Sequence, residues 1–306
     1  MALNTSQWQK WRAHIDHQVS SQGQWVGLLN GDYEPVADFP ALIDMVGGGN
    51  MSGDSELSLT VPALTSRGEA VSVLDFLVDE GMGDIDSSSR LEPSMKKSWF
   101  ICIQRAGGEA GRKIFKVVFP TVAFMRSRPF QLRVSAVSAD SLLGLWPCPS
   151  VPAIWGNEPI IDWYEDAAGP YKKVYRYAPI EMAEVARGYI RKGPAEETIK
   201  HIIQSSLDAG NRVHPEWTEP HLVVDFSSTG FESPEVLIRL DDRTITETIS
   251  DPARLAGVNI SVDLWWPGDA PFPAKFEISG QSFDGTWDKN YPVLVARVRQ
   301  MEGKGI

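Results

Sequence analysis

The sequence has little cysteine, no long apolar run, no block of basic charge and no familiar catalytic signature. Two cysteines among 306 residues rule out a disulfide-dense scaffold. Cys102 lies in Trp99-Phe100-Ile101-Cys102-Ile103, a buried-strand pattern, and Cys148 sits between Pro147 and Pro149 in a loop. Both read as free thiols, as expected of a chain made in a reducing cytoplasm. The apolar runs are far too short to span a bilayer, so no membrane insertion is expected. Met1–Lys10 is polar and lacks the apolar stretch of a secretory signal.

Basic charge is sparse and scattered. Lys96-Lys97, Arg126 with Arg128, Lys172-Lys173 and Arg191-Lys192 are short pairs in a chain of net charge −11. That balance argues against a nucleic-acid footprint, which needs a basic face to replace counterions on phosphate. An acidic surface instead repels phosphate, so a wall of this composition lets DNA pass without binding it.

Catalytic motifs are also missing. Gly47-Gly48-Gly49 is not followed by the Gly-Lys-Ser/Thr of a phosphate-binding loop, and Gly81-Met82-Gly83 lacks a third glycine. No Gly-x-Ser-x-Gly elbow occurs. His14 and His17 are three apart on one helical face, but no third ligand lies near and His-Glu-x-x-His is absent. The expectation is therefore no catalytic residue, no metal and no cofactor. Glu165-Asp166 beside Trp163 and Tyr164 leaves one competing idea open. Two carboxylates next to aromatic platforms suit a carbohydrate-binding or carbohydrate-cleaving site.

What is present is an ordinary core composition, 42% apolar, and a high tryptophan count of 11. Asn4-Thr5-Ser6 caps a helix carrying Trp8, Trp11, Ile15 and Val19 on one face. Trp25–Pro40 reads as loop with an Asn30-Gly31-Asp32 turn, and Ala70–Glu80 as strand or helix. Alternation over Glu56–Pro62 and Gln131–Val137 predicts strands, and Trp99–Gln104 and Lys113–Phe119, joined by a turn-rich linker, read as paired strands, so several consecutive strands are expected. Pro147–Pro179, rich in proline and aromatics, reads as an ordered irregular segment. A helix is expected over Pro179–Lys192. Another opens at Gly193-Pro194 with Glu196-Glu197 in its first turn, buries Ile199, Ile202, Ile203 and Leu207, and stops at Gly210. Strands return at Leu222–Phe226 and Val236–Leu240. A short helix over Thr244–Ala256 leads to a strand at Val258–Trp266. Phe276–Ile278 and Tyr291–Val298 close the chain as strands.

Tryptophan is enriched where subunits associate. Trp8, Trp11, Trp155, Trp163, Trp265 and Trp266 are accordingly the candidate interface anchors. Neighbours on a strand point to opposite faces, so of Trp265 and Trp266 at least one is expected to become buried only on assembly.

Three stretches carry a family likeness. Gly53-Asp54-Ser55-Glu56-Leu57-Ser58-Leu59-Thr60-Val61-Pro62-Ala63 is a small-residue turn followed by an alternating strand that ends in proline. Arg187-Gly188-Tyr189-Ile190 through Leu207 is a helical stretch with a Gly-Pro-Ala start. Ile249-Ser250-Asp251-Pro252 through Val258 leads into Leu264-Trp265-Trp266-Pro267-Gly268-Asp269. Together they resemble minor tail proteins of long-tailed phages (siphoviruses) of actinobacteria, the group related to baseplate hub proteins. The resemblance implies a mainly β (α+β) fold, with two β-barrel-like domains and a helical insertion. The expected boundaries are an N-terminal helix and arm over 1–49, a first barrel-like domain over 50–145, an aromatic segment and helical insertion over 146–215, and a second barrel-like domain over 216–306. It further implies a virion structural protein of the tail tip, made in the host cytoplasm. Its partners would be itself, as a homotrimer or a hexamer, together with distal tail, tape-measure and central tip or fibre proteins. Genomic DNA would pass through without specific binding. A distal tail ring and a host-wall carbohydrate protein are the alternatives.

Overall fold

A computed structural model describes residues 3–47, 55–78, 83–85, 91–93, 98–152, 161–177, 190–214 and 216–302. The chain is mainly β and falls into two compact units, each built from separated stretches of sequence.

The first unit comprises Met1–Ser141, Val262–Ala270 and Asp288–Leu294. Its centre is an antiparallel sheet in the order β2-β1-β7-β8-β9-β4-β3. The strands are β1 (Gln24–Leu29), β2 (Pro35–Asp38), β3 (Asp44–Gly47), β4 (Glu56–Pro62), β7 (Phe100–Arg105), β8 (Arg112–Met125) and β9 (Arg128–Ser138). The outer strands β2 and β3 do not pair with each other, so the sheet stays open, and no closed barrel occurs among the described residues. Two further short strands, β5 (Gly83–Ile85) and β6 (Leu91–Pro93), pair only with each other among the described residues.

Period-two alternation places Leu57, Leu59, Val61, Ile101, Ile103, Leu132 and Val134 in one buried cluster. The short helix α2 (Ser72–Leu77) adds Val73 and Leu74 to it. Within Ala70–Glu80, expected as strand or helix, Ser72–Leu77 is helix and Ala70 forms an isolated bridge with Leu64. On the other side lies α1 (Thr5–Gln22), closed by an Asn4 capping box and ended by Gly23 in the left-handed region, with Trp8 and Ile15 buried. Trp25–Pro40, expected as loop, contains β1 and β2 on either side of the Asn30 turn. Trp25-Val26-Gly27-Leu28-Leu29 is buried throughout. It pairs with strands on both sides, so it shows no alternation to read.

The second unit comprises Leu142–Ser261, Pro271–Trp287 and Val295–Ile306. Its main helix is α3 (Ala195–Val213), which buries Ile199, Ile202, Ile203 and Leu207 as its spacing predicts. The helix does not stop at Gly210. A Cβ on Gly210 would overlap the Trp146 ring, so that glycine is there for close packing, not termination. Helix α4 (Ile245–Ala256) begins with a Thr244–Glu247 capping box and ends at Gly257, φ 67°.

Around these helices stand β12 (Ile190–Pro194) with β14 (Glu235–Arg239), the hairpin β16 (Phe272–Ile278)–β17 (Gln281–Trp287), and the order β13 (Leu222–Asp225)–β18 (Val293–Gln300)–β15 (Val258–Trp265). Strands β15 and β18 also carry the chain from one unit to the other. Ile190–Lys192, expected as the end of a helix, are strand; the rest of that helix, from Pro179 to Tyr189, lies outside the described residues. Within Pro147–Pro179 the structure places a hairpin, β10 (Ile161–Asp166) and β11 (Gly169–Tyr177), instead of irregular chain.

Candidate assembly surfaces

The anchor tryptophans divide sharply. Trp8, Trp11, Trp25 and Trp266 form one chain of rings in the first unit. Trp8 lies 5.8 Å from Trp266, Trp266 6.2 Å from Trp25, and Trp25 6.5 Å from Trp11. The ring of Trp266 carries the Arg112 guanidinium at 3.9 Å. Trp266 also donates its indole N–H to the Tyr33 carbonyl, and Trp265 donates to that of Ala270.

Trp265 and Trp266 are 0% and 1% exposed. The expectation that one of them becomes buried only on assembly is therefore overturned. The physical reason is the turn that follows them. Trp266-Pro267-Gly268-Asp269 closes with the Asp269 N–H bonded to the Trp266 carbonyl at 2.9 Å, and Gly268 supplies φ 89°. That turn brings Asp269 back to accept the Trp266 N–H at 2.8 Å.

Asp269 is the hub of this cluster. Its carboxylate accepts Arg112 at 2.6 Å and Arg12 at 2.7 Å. Arg112 in turn donates to the Leu264 carbonyl and to Gln104 Oε1. Burial pushes the Asp269 carboxyl up, but the Arg112 charge and these hydrogen bonds outweigh it and hold the group below the usual aspartate range. The Arg112, Trp265 and Trp266 donors are spent on internal partners, so the cluster is structural, while the buried Trp8 indole N–H has no partner among the described residues. Trp11 is only half-buried. With His14 and Asp38 it lines a shallow hollow of about 370 Å³, where the His14 ring bonds Asp38 at 2.7 Å. A second cleft, of about 410 Å³, contains Arg105, Lys113 and Asp140. Asp140 is already committed to the Val262 N–H at 2.6 Å. Among the described residues no three His, Cys, Asp or Glu side chains stand together as a metal site. Cys102 and Cys148 are buried free thiols.

Trp163 behaves differently from the other anchors. It is 47% exposed on the β10–β11 hairpin, with Tyr164 and Tyr175 also exposed. Trp163 sits opposite Tyr175 in the register, and the Tyr171 and Tyr175 rings meet edge-on at 4.8 Å. Glu165 and Asp166 follow Trp163 on the same strand and are open to solvent. Trp155 lies outside the described residues.

Sequence reasoning missed a second exposed hairpin. Strands β8 and β9 run on together past their neighbours to a two-residue loop, Arg126-Ser127, with φ 47° and 66°. β7 pairs with β8 only as far as Lys116. Over the far half Val118, Phe119, Phe124, Met125 and Phe130 are exposed. Alternation along β8 puts Phe119 and Met125 on one face, and Val122 and Phe124 on the other. The signal was there to read. Ala110–Ala139 holds six Lys or Arg and no Asp or Glu, while the rest of the chain holds all 40 acidic residues.

No protein-family model matches the sequence, and no curated protein matches it. No helix among the described residues is long and apolar enough to cross a membrane.

Proposed function

We propose that the protein is a structural subunit of a phage tail tip, within the virion. It is a ring component of the baseplate hub that joins the tail tube and distal tail protein to the central tip. In this reading the chain acts by self-association, as a trimer, and has no catalytic role. The mainly-β class fits this reading, in which α3 belongs to the helical insertion. The lumen is lined by acidic surface, which repels DNA phosphate and lets the genome slide.

The observation that carries the reading is the β8–β9 hairpin. Five large apolar side chains held out in water on both faces of a hairpin are what an assembly subunit presents before its neighbours cover them. The likeness to hub-related minor tail proteins and the mainly-β class support it independently. Cryo-EM of particles containing the chain tests it. Three copies at the tail end are expected; six would transfer the protein to the distal ring, and absence from the particles would overturn the reading.

One observation favours a second reading, in which the chain binds host-wall glycan. Trp163 and Tyr164 are exposed beside Glu165 and Asp166, as a sugar platform requires. Saturable binding of purified wall glycan that Trp163→Ala abolishes would establish it, and no binding at millimolar saccharide would remove it.

A further inference from the structure

The two exposed hairpins are complementary to each other. Beyond Val117, which donates to the Trp99 carbonyl, no described strand pairs with the outer edge of β8. Val118 is bulged out and Pro120 has no N–H, so the stretch able to accept a strand is Thr121–Met125. It ends in Arg126 and Arg128, both exposed, neither with an ion-pair partner among the described residues. β10 is likewise the outer strand of its hairpin, pairing only with β11 among the described residues. It is six residues long, with a break in its register between Trp163 and Glu165, and its sequence, Ile161-Asp162-Trp163-Tyr164-Glu165-Asp166, is acidic and aromatic.

We propose that β10 of one copy adds to the β8 edge of a second copy that no described strand occupies, a head-to-tail contact through which the chain assembles. Unpaired edges of this kind are templates for strand addition. The simplest alternative, an antiparallel β8–β8 pair over Thr121–Met125, is centred on Ala123, sets Arg126 against Pro120 and offers neither arginine an opposite charge. Against β10 the charges oppose in either direction. A parallel strand brings Glu165 and Asp166 to the arginines, and an antiparallel one brings Asp162. In both, Phe124 and Met125 meet Trp163 and Tyr164. Because the surfaces differ, the contact is heterologous, and it closes into a ring when the rotation between copies allows. This rests on the self-assembly reading above and names the surfaces that would effect it.

The test is sedimentation velocity on the full chain over a range of concentrations and salt. The wild type is expected to associate, more weakly at high salt. R126E/R128E and D162K/E165K/D166K are each expected to weaken association at least tenfold, with circular dichroism unchanged. A 1:1 mixture of the two variants should associate again, since each then finds an opposite charge on the other. A wild type that stays monomeric at every concentration overturns the contact. Association that neither variant disturbs also overturns it, but leaves the self-assembly reading standing. Loss with R126E/R128E alone removes β10 as the occupant. Pelleting with anionic phosphatidylglycerol vesicles in place of self-association, lost in R126E/R128E, would assign the ribbon to a lipid surface and overturn the contact as well.

Discussion

Asp269 joins Arg112 through a 2.6 Å ion pair in which both side chains are 3% exposed, while the same guanidinium lies over Trp266. Removing either partner strands a buried charge. Asp269→Ala is expected to destabilise the chain by about 3–5 kcal/mol in urea melts. Arg112→Met combined with Asp269→Leu should cost less than Asp269→Ala alone, because the one charge then left without its partner, Arg12, is partly exposed. A single-variant loss below about 1 kcal/mol would show that the pair is dispensable. The pH sign follows from the lowered carboxyl. Its contribution is present above the ordinary value of 3.8 and disappears as acid protonates the folded group.

Asp208 has the opposite sign. Burial raises its carboxyl to about 6, although Oδ1 accepts both the Glu277 N–H and Gln204 Nε2 at 2.8 Å. A raised folded value means its contribution is complete below 3.8 and lost as pH climbs through about 6. Asp208→Asn keeps an oxygen for both donors and cannot ionise. It should raise stability by about 1–3 kcal/mol at pH 7.5 and by almost nothing at pH 3.5, read as paired thermal melts. Equal shifts at the two pH values would refute the assignment.

Gly210→Ala tests packing against propensity. Alanine is favoured over glycine in a helix interior by about 1 kcal/mol. Here the new methyl would overlap the Trp146 ring. The expected result is a loss of about 1–3 kcal/mol, with partial recovery when Trp146→Leu is added. A more stable variant would mean that the ring moves aside freely.

The thiols should be silent. Burial pushes Cys102 up to about 12 and raises Cys148 as well. Neither is expected to react with a disulfide reagent at pH 8 until the chain is unfolded, when both should titrate. Rapid native labelling of Cys102 would contradict its place inside the sheet.

The sequence was most legible where local chemistry decides the outcome. The α1 and α4 caps, the apolar face of α3 and the alternating strands β4 and β9 follow from spacing alone, and β7 from a short apolar run followed by turn residues. Strand β1 was not legible because its residues are buried on both faces, which erases alternation. Gly210 misled because a glycine that ends a helix and one that admits a ring look the same in one dimension. Trp265 and Trp266 were read by strand parity, and parity says nothing of the chain that returns to cover the outer face. The β8–β9 surface was missed because its mark is a lack of acid over 30 residues, a pattern visible only by counting.

The contact between Arg112 and Asp269 spans 157 positions of sequence. During synthesis at about 5–20 residues per second, the arginine waits on the order of 10–30 s for its partner to be translated. Throughout that interval Trp8 and Trp25 lack the indole of Trp266. The nascent chain therefore leaves the ribosome with an unfinished aromatic face, a natural binding point for a chaperone. Its N-terminal half reaches its final form only after most of the message has been read.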